Sequence, residues 1–139
     1  MADAWLNVYS LASTLGKAEA YEALENSLGL YAGLMEAGGG SDIQLKYATA
    51  AFYNRDFTLA GELLTDLTAR EPENADALTT YGAYLFYGLT EYAQAEDVWR
   101  KALDLTEDEA ERALLEYYIG IARTAKDAAE TAAAAEEND

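Results

Sequence analysis

Apolar side chains recur along most of the chain with the three-to-four-residue spacing of amphipathic helices, and polar side chains fill the opposite faces. Short breaks interrupt this pattern, among them the glycine run 38–40 and Pro72, which cannot lie inside a helix. The pattern predicts an all-α protein without sheet. Its six to seven helices are expected at about residues 3–15, 18–37, 42–53, 57–70, 75–87, 92–105 and 107–126.

Three helix starts carry recognisable capping signals. Ser41 followed by Gln44, and Thr106 followed by Glu109, have the capping-box spacing in which the two side chains satisfy backbone N–H groups reciprocally. Asn74 is a favourable N-cap for the helix after Pro72. We therefore expect these residues to fix where their helices begin.

The first forty residues contain two predicted helices. Trp5, Val8 and Leu15 lie on one face of the first. In the second, Gly29 and Gly33 are four residues apart and share a face, where the absence of side chains lets another backbone approach. We expect a tight packing contact there.

The region 41–108 contains the same pattern of residue types twice. Four residues of its first half recur 34 positions later: Tyr47, Ala48, Phe52 and Tyr53 become Tyr81, Gly82, Phe86 and Tyr87. Four more recur after 35: Phe57, Ala60, Leu64 and Leu67 become Tyr92, Ala95, Trp99 and Ala102. One residue has thus been inserted between Tyr87 and Tyr92. A period of this length indicates a stacked helical repeat.

These residues resemble the tetratricopeptide repeat, a helix-turn-helix unit of 34 residues with small residues at fixed positions and a late proline. Ala48, Ala60 and Pro72 match those positions, whereas Glu107 stands where the second proline is expected. The resemblance implies an α-solenoid of antiparallel helix pairs. Its parts are a degenerate helix pair (1–40), two repeats (41–74 and 75–108), a capping helix (109–126) and an acidic alanine-rich tail (127–139) that we expect to be a fraying helical extension.

In proteins of this family the first helix of each pair lines a concave surface that binds other chains. The resemblance implies such a ligand groove here, formed by Leu45, Thr49, Phe52, Tyr53, Thr79, Ala83, Phe86, Tyr87, Tyr117 and Ile121, with Leu114 beside them. The lysines, asparagines and arginines with which one subgroup grips a carboxylate are missing, apart from Lys46. An apolar extended or helical segment is the better ligand. The alternative is that the aromatic side chains only close the core between helices.

The chain is strongly acidic, with 26 acidic and 9 basic residues and a net charge of −17. This charge argues against nucleic acid, because phosphate binding needs a basic surface. It leaves a solvated surface, a high-salt habitat or a basic partner as explanations. No apolar run approaches the roughly 18 residues needed for membrane insertion, and the amino terminus lacks a basic signal sequence, so a cytoplasmic location is expected.

Three functions are compatible with this pattern. The first is a protein-protein interaction module, an adaptor or chaperone that binds a peptide or helical segment. The second is a structural subunit that forms a homo-oligomer or an obligate complex through its terminal helices. The third is an enzyme, which we reject because the chain has no histidine or cysteine and its carboxylate pairs, such as Glu96 and Asp97, lie on a wet helix face. No catalytic residue, metal site or cofactor is expected.

Overall fold

The computed structural model describes the backbone of residues 17–137 and the side chains of residues 25–136, and this part of the chain is helical without a strand. Its helices are α1 (Lys17–Glu36), α2 (Ser41–Tyr53), α3 (Phe57–Arg70), α4 (Ala75–Ala83), α5 (Tyr92–Leu105) and α6 (Glu109–Glu137). A π-helical turn, Tyr84–Gly88, extends α4. The predicted all-α class is confirmed for these residues. The predicted helix at 3–15 lies outside the described part.

Contacts divide the chain into two compact units, which meet in sequence between Arg70 and Glu71. In the first unit, α1 packs on α2 and α2 packs on α3. Gln44, near the start of α2, donates to the Leu63 carbonyl (2.9 Å) and to Asp66 (2.8 Å), near the end of α3. These two helices therefore run in opposite directions.

Small side chains let the helices of the first unit approach closely. Ala48 and Ala60 are completely buried, as expected for small residues where helices cross, and so are the large side chains of Leu64 and Leu67. Helix α1 joins through Tyr31, which packs against Ala50. The hydrophobic core of this unit thus combines buried alanines with large side chains such as Leu64 and Leu67.

Among the described residues, none makes a tight contact with Gly29 or Gly33. A Cβ atom added to either glycine would meet no described atom within 4 Å. Helix α1 instead faces α2 through Leu28 and Tyr31, which lie on the opposite side of the helix. Against α2, the apolar stripe and not the pair of glycines determines which face of α1 is buried, and the described residues provide no partner for the predicted glycine contact.

The capping predictions had mixed outcomes. Asn74 caps α4 as expected, since its side chain accepts a hydrogen bond from the Ala77 N–H (3.1 Å). Neither capping box forms: α2 begins after Gly40, and Gln44 reaches across to α3 instead of folding back. Asp108 accepts from the Glu111 N–H (3.0 Å) at the start of α6, while the buried Thr106 hydroxyl donates to the Ala102 carbonyl. Gln44 thus makes a tertiary contact in place of the cap, and Thr106 bonds to the last turn of the preceding helix.

The second unit contains α4, its π-helical turn, α5 and α6 around a core centred on Trp99, which is completely buried. Arg112, near the start of α6, donates to the carbonyls of Leu103 (2.9 Å) and Thr106 (2.8 Å), at the end of α5. The two helices therefore run antiparallel. Helix α6 continues to Glu137, and the side chains of residues 127–136 are all exposed.

The π-helical turn accounts for the inserted residue in the second repeat. In the first hairpin, the Asp56 N–H closes the end of α2 by donating to the Ala51 carbonyl (2.9 Å). At the same place in the second hairpin, the Glu91 N–H donates to the Leu85 carbonyl (2.8 Å), so the closed loop is one residue longer. A π-type turn absorbs such an extra residue without changing the helices that it connects. This explains why the repeat spacing changes from 34 to 35.

An exposed aromatic surface on the second unit

A stack of aromatic rings leads from the core of the second unit to its surface. The buried Trp99 ring packs on Phe86, with ring centroids 5.7 Å apart, and stacks on Tyr118 at 5.1 Å. Phe86 also contacts Tyr92 at 5.1 Å. These contacts connect the end of α4 with α5 and α6. They give the rings at the surface a rigid base.

Two exposed tyrosines stand on this base. Tyr87 is 58% exposed and packs edge-on against Phe86 (4.7 Å), and Tyr117 is 64% exposed and lies beside Tyr118 (6.1 Å). Burial raises the pKa of Tyr118, and the nearby phenols of Tyr87 and Tyr117 raise it further. Ring contacts connect both tyrosines to Tyr118 although they lie on different helices: Tyr117 directly, and Tyr87 through Phe86 and Trp99.

The side of α6 that faces away from α5 is uncharged. The inner side of the helix is buried and contains Leu115, Ile119 and Ala122. The opposite side, which we call the α6 outer face, consists of Ala110, Ala113, Leu114, Tyr117, Gly120, Ile121 and Thr124. All are exposed except Ile121, which is partly buried, and Leu114 is 49% exposed. Helical periodicity places them on one strip that no described helix covers.

The four candidate residues in the first unit differ in exposure. Tyr53 is 37% exposed, Leu45 and Phe52 are partly buried, and Thr49 is buried. The Thr49 hydroxyl donates to the Leu45 carbonyl (2.7 Å), so its hydrogen-bonding capacity is used within α2. Phe52 packs against Tyr53 (5.4 Å) and Phe57 (5.9 Å). Tyr53 offers the largest accessible ring of this set.

The candidates in the second unit divide into core and surface. Thr79, Ala83 and Phe86 are partly buried, and Ala83 and Phe86 pack against the Trp99 core. Phe86 thus contributes to the core between helices, which is the alternative that the sequence left open for it. The exposed rings are those of Tyr87 and Tyr117.

The small residues of the α6 outer face, above all Gly120, are not among the residues that the repeat pattern predicts for the groove. Their signal is an absence of charge at positions 110, 113, 117, 120 and 124 in an otherwise highly charged helix. Helical spacing of uncharged positions indicates a face, even when most of the residues are small.

The carboxylates considered for chemistry have structural surroundings. Glu96 is only 8% exposed, and its two oxygens pair with Arg100 and Arg123, each at 3.4 Å. It thereby ties α5 to α6. Within the described residues, no group of three or more acidic side chains is arranged to hold a metal ion. Within residues 17–137, no helix has the length and apolar character needed to cross a membrane.

Comparison with known proteins brings no match, neither to a family model nor to a curated protein nor to a solved structure. The resemblance to tetratricopeptide repeats therefore rests on the residues of this chain alone.

Proposed function

We propose that this protein is an interaction module of the adaptor or chaperone type, which binds a peptide or helical segment of another protein. The observation that carries the proposal is the joint exposure of Tyr87 and Tyr117 on a rigid aromatic base, next to the exposed Leu114. Large apolar side chains that cluster at a surface mark interaction sites in soluble proteins. The 34-residue repeat pattern, typical of binding scaffolds, favours the same function.

The energetics of aromatic side chains favour this use. A tyrosine has few rotatable bonds, so it loses little entropy when a ligand covers it, and its hydroxyl can satisfy a polar group of the ligand. Tyr87 and Tyr117 are further restricted because each packs on a neighbouring ring. A few such residues carry most of the energy of a typical interface, with losses of about 2 kcal/mol or more on truncation.

The first unit contributes to the same function through Tyr53, with Leu45 and Phe52 beside it in α2. Tyr53 occupies the position in the first repeat that Tyr87 occupies in the second. We propose that each unit presents its own apolar contacts to a ligand.

The test is a selection of binding peptides from a displayed random library, followed by affinity measurements with fluorescence anisotropy. Tyr117→Ala and Tyr87→Ala should each lower the affinity for the selected peptides at least tenfold, which corresponds to about 1.4 kcal/mol of binding free energy. The control Leu30→Ala removes a side chain that is 62% exposed on α1 and should leave affinity unchanged. Midpoints of unfolding should stay near that of the wild type. Unchanged affinity in both tyrosine variants contradicts the proposal.

The uncovered α6 outer face favours a second candidate, a subunit of an obligate complex. A terminal helix of a repeat array normally turns a polar side to water, and this one is uncharged along its outer side. Copurification of a stoichiometric partner that masks Tyr117 from chemical modification would favour this candidate over transient binding.

A further inference from the structure

We infer that the ligand of the second unit is a basic amphipathic helix of another protein, which lies lengthwise along the α6 outer face. This inference rests on the proposed function and adds the shape and charge of the partner. Three features of α6 carry it: its length, the open position at Gly120 and the distribution of charge around the face.

The length of the face fits a helix rather than a short peptide. Its residues span positions 110–124, and fifteen helical residues cover about 21 Å. A partner helix of about four turns matches this length. Such helices insert apolar residues at i, i+3, i+4 and i+7 into an apolar groove.

The small residues of the face allow the two helix axes to come close. A Cβ atom added to Gly120 would meet nothing within 4 Å, and Ala110 and Ala113 are also exposed. Small residues at a helix crossing permit axial separations near 8 Å. Tyr117 and Leu114 would border this shallow strip and fix the register of the partner.

Gly82 illustrates how a helix crosses a glycine in this same chain. There the Trp99 indole of α5 covers the glycine so closely that a Cβ would fall 2.5 Å from Cδ1. Gly120 has no such cover. We expect the partner helix to place a large apolar side chain over it, as α5 does over Gly82.

Charge identifies the partner as basic. Glu109, Glu116 and Asp127 follow one edge of the uncharged face, and all are exposed. Residues 71–139 carry 17 acidic and 5 basic side chains, and Arg123 is paired with Glu96. A second copy would bring the same excess of acidic side chains, and in an antiparallel pair the same acidic edge against its like, which repels. A helix with lysine or arginine beside its apolar stripe is complementary instead.

The test uses three synthetic peptides of eighteen residues with the full-length protein. The first peptide has a leucine stripe at helical spacing, flanked by lysines. The second has glutamate in place of each lysine. The third has the same composition as the first, but its leucines are scrambled so that they form no stripe. We expect the first to bind, the second to bind at least tenfold more weakly, and the third not to bind. Raising the salt concentration should weaken the first, because flanking charges are screened.

Variants of the protein then locate the site. Gly120→Gln adds a bulky uncharged side chain to an open position, so it should leave folding intact and weaken the lysine peptide at least tenfold. Gly120→Ala is the matched control and should bind within about threefold of the wild type, because alanine favours helix and adds one small group.

The outcomes separate the inference from the proposed function. Three results would overturn the inference of a basic partner helix. They are equal binding of the lysine and glutamate peptides, failure of the lysine peptide to bind, and unchanged binding of the lysine peptide by Gly120→Gln. Library-selected peptides that still depend on Tyr87 and Tyr117 would then leave the proposed function standing. A dimer of the wild-type chain that Gly120→Gln dissociates in sedimentation would identify a second copy as the occupant, and it also overturns the inference.

Discussion

The indole ring of Trp99 lies directly on the backbone of Gly82. Its Nε1 donates a hydrogen bond to the Thr79 carbonyl (3.0 Å), one turn of α4 earlier. A Cβ added to Gly82 would fall 2.5 Å from Cδ1 and 2.7 Å from Cε2 of the indole. The glycine at this point of the repeat is therefore required by the tryptophan of the next helix.

Gly82→Ala should destabilise the second unit by about 3 kcal/mol, the upper end of the range for overpacking. Trp99 is completely buried and packs on Phe86 and Tyr118, so a shift of its ring would disturb both contacts. Chemical denaturation measures the loss. Gly120→Ala serves as the control, because that position is open. A wild-type midpoint for Gly82→Ala would contradict the close packing.

Gly29→Ala and Gly33→Ala should each stabilise α1 by up to about 1 kcal/mol. Alanine restricts the unfolded chain and favours helix relative to glycine, and neither position has a described neighbour within 4 Å. Thermal unfolding followed by circular dichroism measures the gain. Destabilisation by either substitution would mean that another backbone approaches α1 at that glycine.

The sequence predicts those structural features that depend on residues close to one another along the chain. The bounds of α3 and α5 follow from hydrophobic periodicity and nearby turns, and the structure reproduces them as predicted. The role of Gln44 could not be predicted in this way, because its partners are 19 to 26 residues away on α3. The connection of Tyr87 and Tyr117 to Tyr118 likewise depends on how α6 packs beside the π-helical turn. The repeat pattern indicated Tyr87, Tyr117 and Leu114 as candidates, and the uncharged spacing along α6 was the signal for the small residues of the α6 outer face.

Thr90→Asn should stabilise the protein by about 1 kcal/mol. Thr90 has φ = 54°, in the left-handed region that a β-branched residue rarely adopts, whereas asparagine tolerates it. Arg55, with φ = 63° at the corresponding turn of the first unit, is the control. Because arginine is not β-branched, Arg55→Asn should gain less. If both variants raised the midpoint of thermal unfolding by the same amount, β-branching would add no strain at this turn.

Tyr118→Phe should reduce the loss of stability at alkaline pH. The raised pKa of Tyr118 means that its phenol ionises more readily in the unfolded chain than in the folded one. The contribution of Tyr118 to the free energy of unfolding is therefore complete below its pKa in the unfolded chain, about 10. It falls as the pH rises from there towards the pKa of Tyr118 in the folded protein. Burial also raises the pKa of Tyr31, and burial with the neighbouring Tyr81 raises that of Tyr84, so part of the alkaline loss should remain.

Denaturant unfolding at pH 8 and near pH 11 measures this difference, together with absorbance of the ionised phenol at 295 nm. Tyr92→Phe, which removes another phenol of the second unit, is the matched control. The same alkaline loss in Tyr118→Phe as in the wild type would rule out a pKa difference between the folded and unfolded states at this residue.

Gln44→Glu should destabilise the first unit more at pH 7 than at pH 4. In the wild type, the Gln44 amide donates to Leu63 and Asp66 while its oxygen accepts from Arg70. The hydrogen bond from Gln44, followed by that from Arg70, lowers the pKa of Asp66. A carboxylate at position 44 would lose both donated bonds and would repel Asp66, and its protonation at lower pH relieves this repulsion.

Gln44→Met is the control, because it keeps the approximate shape of the side chain without charge. It should cost about 1 kcal/mol, the typical net contribution of a hydrogen bond, because Asp66 and Arg70 are exposed and can bond to water instead. In the wild type, the pKa of Asp66 is lower in the folded protein than its ordinary value of 3.8. The resulting stability is present above about pH 3.8 and is lost as the pH falls through the folded pKa. Gln44→Met should therefore show a weaker acid dependence between pH 5 and pH 2. Parallel acid profiles of the wild type and Gln44→Met would mean that Gln44 does not determine the ionisation of Asp66.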